Sequence, residues 1–185
     1  MLPLTAAFFM PSTRKKSMTR KSTSVDLDPQ TVESMNGKSA ILTGASSGLG
    51  KAMALQLANC NVKHLVISGR NVEALEELKL SCEKIMNNDE NQVHILPCDL
   101  SDLKSAQQFA KDALAKCNNE VDMLVLSGGL SSRSSFLDTD FSVDELLVKV
   151  NYLSGAAISK EVVPSMVERK SGSIIWIGSV QGKEE

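Results

Sequence analysis

The sequence has few of the residues that mark metal-binding, disulfide-rich or nucleic-acid-binding proteins. It holds two histidines, four cysteines, one tyrosine and one tryptophan in 185 residues, with a net charge of −2. The cysteines are far apart and lack C-x-x-C spacing, so reduced thiols of an intracellular protein are favoured over a zinc site or a disulfide framework. His64 and His94 fall in apolar, strand-like stretches, which favours half-buried strand positions over metal or catalytic roles. The small net charge gives no sign of nucleic-acid or membrane-surface binding.

The first 25 residues differ in composition from the rest of the chain. They contain five basic residues, no acidic residue and many Ser and Thr. This composition suits an organelle transit peptide or another endomembrane targeting segment. The apolar part, residues 2–10, is too short to span a bilayer, although it is compatible with membrane association. A disordered tail on a cytoplasmic protein is the plain alternative. We therefore interpret residues 1–37 as leader and linker, and residues 38–185 as one domain.

From residue 38 onward, short apolar runs alternate with segments of helical periodicity. The predicted strands are residues 39–43, 62–68, 93–97, 121–127 and 173–178. The apolar helix positions are Leu49, Met53, Leu57 and Cys60, then Leu75, Leu78, Cys82 and Ile85, then Leu103, Ala106, Ala110, Ala113 and Cys117, and finally Leu146, Val150, Leu153 and Ala157. Five strands separated by four helices predict an α/β fold, a doubly wound, Rossmann-like parallel sheet with helices on both faces.

A glycine-rich segment, TGASSGLG at residues 43–50, lies between the first predicted strand and the first predicted helix. Gly44 suits a tight turn, Gly48 a close approach of backbone to ligand, and Gly50 close packing of the helix on the strand. The N–H groups that begin the helix then face an anion, normally a pyrophosphate. This position at the first βα junction predicts nucleotide binding, and the G-K-[ST] of a P-loop is missing. A purely structural turn is the alternative.

The second predicted strand ends in SGRN, residues 68–71, where an NAD-binding protein carries an acidic residue for the ribose 2′-hydroxyl. Gly69 and Arg70 stand there instead, and a guanidinium can clamp a 2′-phosphate through charge-assisted hydrogen bonds. NADP(H) is therefore predicted in preference to NAD(H), with a solvated surface arginine as the alternative. Asp99, after the third strand, is predicted to accept a hydrogen bond from the adenine amino group or to cap the next helix.

Several segments together resemble the short-chain dehydrogenase/reductase superfamily, most closely its dehydrogenase/reductase member 7B branch. They are TGASSGLGK, SGRN with ALEEL, NYLSGAAISKEVVPSM and SVQGK, within a resemblance that runs from about Lys38 to Lys183. The resemblance implies NADP(H)-dependent hydride transfer to or from a carbonyl or alcohol, with a lipid ketone as one candidate substrate. The residues expected to bind the dinucleotide are Thr43, Gly44, Ser46, Ser47, Gly48, Leu49, Gly50, Arg70, Asn71, Asp99, Leu100 and Gly128.

The family's chemistry uses a proton-donating tyrosine, a lysine four residues later that lowers the tyrosine pKa, a serine after the fifth strand and an asparagine in the preceding helix. By resemblance, Asn151 and Ser179 are the catalytic asparagine and serine. Alternatively, Asn151 bonds within its own helix and Ser179 caps a turn. The single tyrosine, Tyr152, has Ala156 four residues later, so it does not match Y-x-x-x-K.

Two departures from the family pattern shape our expectations. The family's N-N-A-G is replaced by Leu-Ser-Gly-Gly at residues 126–129, which keeps the glycines but loses asparagines that tie the sheet together. After SVQGK the sequence ends at Glu185 without Y-x-x-x-K. We therefore expect a catalytically incomplete, truncated form that lacks the family's C-terminal helix and strands. Residues 173–178 would then form an exposed edge strand, the asparagine helix would expose an apolar face, and dimerisation is left open.

Three functional interpretations follow from the sequence. The first is an NADP(H)-dependent oxidoreductase, which needs a small-molecule carbonyl or alcohol as its partner once the site is complete. The second is a non-enzymatic nucleotide-binding or regulatory relative. The third, another Rossmann enzyme such as a methyltransferase, is disfavoured because a bare ribose diol calls for a carboxylate where Arg70 stands. No metal ion and no nucleic-acid partner are expected.

Overall fold

The computed structural model of the chain describes residues 28–179 except 87 and 89. The leader expectation for residues 1–27 lies outside this range. The elements, in chain order, are α1 Pro29–Met35, β1 Ser39–Thr43, α2 Gly48–Asn59, β2 His64–Ile67, α3 Val72–Ile85, β3 Gln92–Ile95, α4 Leu103–Lys116, β4 Met123–Leu126, α5 Phe141–Val148, a π-helical turn Lys149–Leu153, α6 Ser154–Arg169 and β5 Ser173–Trp176. Part of the segment expected as a linker thus forms the short helix α1.

The five strands form one parallel sheet in the order β3-β2-β1-β4-β5. Every residue of β1 is buried, as expected for a central strand covered on both faces. Because β2 and β3 extend the sheet to one side of β1 while β4 and β5 extend it to the other, the strand order reverses between β1 and β4. The predicted doubly wound, Rossmann-like fold is confirmed.

Helices cover both faces of the sheet and enclose two apolar layers. One layer packs α2 and α3 against the sheet, and the other packs α4 and α6 against the opposite face. The predicted inward positions of α3 and α4 are buried, including Leu75, Leu78 and Ala110, except for Ile85 and Leu103, which are partly buried. These apolar contacts provide the main stabilisation of the fold.

The predicted inward face of α2 needs correction, because Leu49 is 56% exposed. The buried residues of α2 are instead mostly small: Gly50, Ala54, Leu57 and Ala58. A Cβ atom at Gly50 would stand 2.2 Å from the carbonyl oxygen of Gly44. Gly50 therefore faces the end of β1 at a distance that no side chain could occupy, while its neighbour Leu49 points away from the sheet.

The fourth predicted helix is interrupted by the π-helical turn at residues 149–153. The expected inward face was wrong at Leu146 and Leu153, which are 39% and 37% exposed. Beyond the turn, the buried positions of α6 are Ser154, Gly155, Ile158, Val162 and Met166. A π-helical turn accommodates one more residue than an α-helical turn, so it shifts the helical phase and changes which residues face the core.

The outer strand β5 is an edge of the described sheet, as expected from the sequence. Ile174 and Trp176 lie on it and are 44% and 41% exposed. On α6, Val167 is also exposed. The expected apolar surface near the asparagine helix is therefore present on the described part of the chain. No helix among the described residues is both long enough and apolar enough to cross a lipid bilayer.

All four cysteines are buried, and none of them forms a disulfide. Burial raises the pKa of the Cys82 and Cys117 thiols to about 12. Such thiols stay protonated near neutral pH and are poor nucleophiles. Within the described part of the chain, no three His, Cys, Asp or Glu side chains gather in a way that would hold a metal ion.

Asp122 joins three elements at the amino end of the sheet. Its Oδ2 accepts a hydrogen bond from the Ser39 N–H at 2.9 Å, and its Oδ1 lies 3.3 Å from Nη1 of Arg169 at the end of α6. The Arg169 Nη2 also donates to the Val121 carbonyl oxygen. Lys38 lies farther from the Asp122 carboxylate, at 3.8 Å, and is more exposed.

We expect Asp122→Ala to lower the free energy of unfolding by about 1–3 kcal/mol, because it leaves the Ser39 N–H and the Arg169 Nη1 without their carboxylate acceptor. Lys38→Ala is the matched control, with an expected loss below about 1 kcal/mol, since exposed ion pairs contribute little. Urea denaturation followed by circular dichroism measures both. Equal losses in the two variants would contradict this account of Asp122.

Candidate functional site

A cleft of about 460 Å³ lies at the carboxyl end of the sheet, where the strand order reverses. This is the position at which open α/β sheets bind ligands. All residues predicted to bind the dinucleotide except Asn71 line the cleft. The other lining residues are Ser68, Gly69, Cys98, Ser101, Ser127, Gly129, Leu130, Leu146, Val150 and Ile177. The cleft therefore takes residues from the ends of all five strands.

The floor of the cleft is formed where the ends of β1 and β4 meet. The Thr43 hydroxyl oxygen accepts hydrogen bonds from the Ser127 N–H at 3.2 Å and the Gly128 N–H at 3.4 Å. Gly44 has φ +68°, and a Cβ atom there would lie 2.7 Å from the backbone of Gly128. Glycine is thus needed at position 44 because the backbone is left-handed there and because a side chain would clash with Gly128. Both observations support the predicted tight turn.

The first turn of α2 forms one wall of the cleft. Ser47 precedes the helix with extended backbone, and its side chain makes no capping hydrogen bond within the described part of the chain. The N–H groups at Gly48, Leu49 and Gly50 have no partner inside the helix because they belong to its first turn. These donors, together with the helix dipole, make this wall suitable for a phosphate group.

Arg70 is exposed at the mouth of the cleft, directly after β2. Asp99 lies on the same wall after β3, and its Oδ1 accepts hydrogen bonds of 2.9 Å from both the N–H and the hydroxyl of Ser101. These hydrogen bonds lower the pKa of Asp99, and the positive charge of Arg70 acts in the same direction. Asp99 is therefore an ionised acceptor near neutral pH, in the vicinity of a guanidinium.

The helix caps test the roles predicted for Asp99 and Asn71. Asp102 caps α4, because its carboxylate accepts from the Lys104 N–H at 2.9 Å, so the alternative cap role for Asp99 was wrong. Asn71 caps α3 by accepting from the Ala74 N–H at 3.0 Å, and the structure does not bring it into the cleft lining. A cap position directly before a helical stretch is the signal that identifies both residues from the sequence.

Asn151 lies in the π-helical turn and binds the loop that follows β4. Its Oδ1 accepts from the Leu130 N–H at 2.8 Å, and its Nδ2 donates to the Leu130 carbonyl oxygen at 2.9 Å. The alternative that Asn151 bonds only within its own helix was therefore wrong. Both amide atoms hold a single backbone unit, so Asn151 fixes the loop that carries Gly128, Gly129 and Leu130 along the cleft.

Ser179 lies two residues beyond Ile177, whose N–H donates to the Leu126 carbonyl oxygen at 2.9 Å. Ile177 lines the cleft, whereas Ser179 is exposed and does not. Asn151 is likewise outside the lining, although it borders it through Leu130. The two expected catalytic residues are thus close in the chain to residues that line the cleft but are not part of its lining, and their catalytic role stays a prediction.

The sequence prediction missed several lining residues. Ser68, Gly69, Cys98 and Ser127 stand at strand ends, and a search that included the last residue of each predicted strand and the residue after it would have found them. Leu146 and Val150 carry no comparable signal, because neither of them stands at a strand end. Together with Leu130 and Ile177 they make one end of the cleft apolar, while the glycine-rich turn and Arg70 make the other end polar.

This donor set fits a dinucleotide. The anion-binding turn of α2, the exposed Arg70 and the carboxylate of Asp99 lie at one end of the cleft, where phosphates and an adenosine group find partners of suitable charge. The apolar end suits a flat, weakly polar ring. The fold and the cleft together define a Rossmann-type nucleotide-binding domain.

Comparison with known proteins assigns the domain to a family. The family model for short chain dehydrogenase matches residues 38–185. The human dehydrogenase/reductase SDR family member 7 is 40% identical over 141 residues, which cover 76% of this chain and 41% of that protein. The mouse member 7B is 38% identical over 143 residues, covering 77% and 44%. The chain belongs to the short-chain dehydrogenase family, whose members are NAD(P)(H)-using oxidoreductases. The resemblance to the member 7B branch is confirmed, and member 7 is similar to the chain as well.

The chain spans less than half the length of these relatives. Among solved structures, a 7α-hydroxysteroid dehydrogenase in complex with NADH and 7-oxo glycochenodeoxycholic acid superposes with a TM-score of 0.76. It is 24% identical, and the match covers 86% of this chain and 59% of that one. This structural likeness supports the fold.

Proposed function

We propose that this chain is the cofactor-binding part of an NADP(H)-dependent oxidoreductase that interconverts a carbonyl and an alcohol. A lipid ketone is the substrate class that the family branch suggests. The observation that carries the proposal is the cleft at the strand-order reversal, where an uncapped helix N-terminus and Arg70 lie at the same end. The cofactor would supply the hydride, and this chain would bind and orient it.

The preference for NADP(H) over NAD(H) rests on the end of β2. No carboxylate follows Ile67 directly; Ser68, Gly69 and Arg70 do. Asp99, the nearby acid on the cleft wall, already accepts two hydrogen bonds from Ser101, and its charge lies close enough to Arg70 to be affected by it. An exposed guanidinium has the donor geometry for a 2′-phosphate, and a charge-assisted contact contributes roughly 1.5–3 kcal/mol.

Calorimetric titration of the full chain with NADPH and NADH tests this proposal. We expect NADPH to bind about ten- to a hundredfold more tightly, the range that corresponds to the charge-assisted contact. Arg70→Asp should reverse the preference by repelling the 2′-phosphate and offering the 2′-hydroxyl an acceptor. Arg133→Asp makes the same change of charge at an exposed position outside the cleft lining, and it should leave the preference unchanged. Equal affinities of the unmodified chain for both cofactors would overturn the choice of NADP(H).

We also propose that the 185 residues bind the cofactor without supplying an efficient proton donor. Tyr152, the only tyrosine, lies against Trp176 with ring centroids 5.8 Å apart and is not part of the cleft lining. Ala156 stands where the family motif requires lysine. The second candidate function, a non-enzymatic nucleotide-binding or regulatory protein, is favoured by the same observation. It would be supported if NADPH binds tightly and no substrate is turned over.

A further inference from the structure

The two histidines of the chain form a stacked pair inside the sheet. His64 begins β2, and His94 lies on β3, with ring centroids 5.8 Å apart and an interplanar angle of 27°. His94 is paired in register with Val66, which packs in the layer that α4 covers. Since side chains two residues apart in a strand share a face, His64 and His94 both lie on the α4 face.

His64 is buried and His94 is half-buried, and three of their four ring nitrogens are buried without a hydrogen-bond partner among the described residues. The His64 side chain is 8% exposed, and neither its Nδ1 nor its Nε2 meets a partner there. The Nε2 of His94 is also buried and unpaired. A neutral imidazole tolerates such a site at a modest cost, but an imidazolium has two N–H donors and a charge, both of which need a partner or water.

The charges that surround the pair oppose protonation further. Lys63 precedes His64 in the chain, and the positive charges of Lys79 on α3 and Lys116 on α4 both act on His94. Burial lowers the pKa of both histidines, Lys63 adds to this for His64, and His64, Lys116 and Lys79 add to it for His94. The side chains whose charges act on the two rings, on α3, on α4 and next to His64 in the sequence, are therefore all basic.

We propose that the His64–His94 stack is an acid-sensitive contact that holds the outer strand β3 on the sheet, so that mild acidification releases β3. The strand is four residues long and pairs only with β2 among the described strands. Opening β3 is the least costly way to bring water to the two rings, because it breaks hydrogen bonds to one neighbouring strand, whereas opening a central strand breaks hydrogen bonds to two. The loop after β3 is held by the Leu96 and Cys98 N–H groups, which donate to Ile67 and Gly69.

Release of β3 would also withdraw one wall of the cleft. Asp99 and Leu100 follow directly in this loop, and both line the cleft. The sign of the effect follows from the lowered pKa values. Above about pH 6.5 both rings are neutral in the folded and in the unfolded chain, so protonation of the histidines does not lower the stability. As the pH falls through this value, the unfolded or opened chain takes up more protons, so the folding constant falls by up to about tenfold per pH unit for each histidine.

Hydrogen exchange of the full chain, analysed by mass spectrometry at about pH 7.5 and about pH 5.5, tests the proposal without any ligand. After correction for intrinsic exchange rates, protection of residues 92–100 should fall at least about tenfold on acidification. Protection of β1, in the centre, and of β5, at the histidine-free edge, should change much less. Equal losses at β3 and β5 would overturn the assignment to the histidine pair.

The double variant His64→Phe/His94→Phe keeps two stacked rings but cannot titrate. Because the sequence has no other histidine, this variant should lose the acid-dependent opening of β3. The same opening in the double variant would contradict the proposal. If the double variant does not fold, NMR titration of the two imidazole Cε1 protons in the unmodified chain decides the question. Midpoints below the ordinary value of about 6.5 support the proposal, and midpoints at or above it overturn it.

Discussion

The purified 185-residue chain is expected to oxidise NADPH with ketones and aldehydes at least about a hundredfold more slowly than an extended version. The extended version would carry, after Ser179, the segment with Y-x-x-x-K from a relative. Hydride transfer to a carbonyl leaves negative charge on oxygen, and positioned general acid catalysis contributes about 10²–10⁴-fold to such a step. Neither the amide of Asn151, which binds Leu130, nor the hydroxyl of Ser179, which lies outside the cleft lining, can donate this proton efficiently.

The measurement follows the loss of NADPH absorbance with a panel of carbonyl compounds. Tyr152→Phe in the short chain is the matched control, since Tyr152 packs on Trp176 outside the cleft lining. We expect this substitution to leave the low rate unchanged. Turnover by the short chain at a rate similar to that of the extended version would contradict the expectation. If Tyr152→Phe then abolished it, Tyr152 itself would be the proton donor.

The second large effect is expected at Gly44. In Gly44→Ala, the new Cβ would lie 2.7 Å from the backbone of Gly128, and the residue would keep φ near +68°. Overpacking and left-handed backbone strain together should lower the free energy of unfolding by about 3 kcal/mol or more. Because the ends of β1 and β4 would be pushed apart, NADPH affinity should fall at least about tenfold as well.

Gly48→Ala is the control for this prediction. Gly48 has φ +54°, but a Cβ there meets no atom within 4 Å among the described residues. Its stability loss should be limited to backbone strain of about 1 kcal/mol. Urea denaturation and NADPH titration of both variants separate the two effects. If Gly44→Ala lost no more stability than Gly48→Ala, the backbone at the β1–β4 junction would have moved to accommodate the new Cβ atom, and the prediction would be wrong.

Much of the architecture could be predicted because it depends on local patterns. Apolar runs such as residues 39–43 identify buried strands, and the periodic residues Leu75, Leu78 and Cys82 identify the inward face of α3. The strand-turn-helix context of Gly44 and the position of Arg70 after β2 then locate the cleft, since strand ends meet at one edge of a parallel sheet. These features need no knowledge of distant contacts.

The rest depends on partners far apart in the chain. Asn151 and Leu130 are separated by 21 positions, and no local sequence pattern indicates that the side-chain amide of Asn151 will bind the backbone of Leu130. The same applies to Asp122 and Arg169, 47 positions apart. The π-helical turn at residues 149–153 interrupts the helix, so the single α-helical periodicity that predicted Leu146 and Leu153 as buried does not run through this segment. The helix α1 was missed because only Val32 and Met35 pack against the core.

The gathering of five strand ends around one cleft has a thermodynamic consequence. A molecule bound there would touch segments from Thr43 to Ile177 that are far apart in the sequence, so it would act as a non-covalent cross-link of the native chain. By mass action, a ligand present at a hundred times its Kd adds about 2.7 kcal/mol to the folded state. The fraction of this polypeptide that is folded in a cell would then rise and fall with the supply of the dinucleotide.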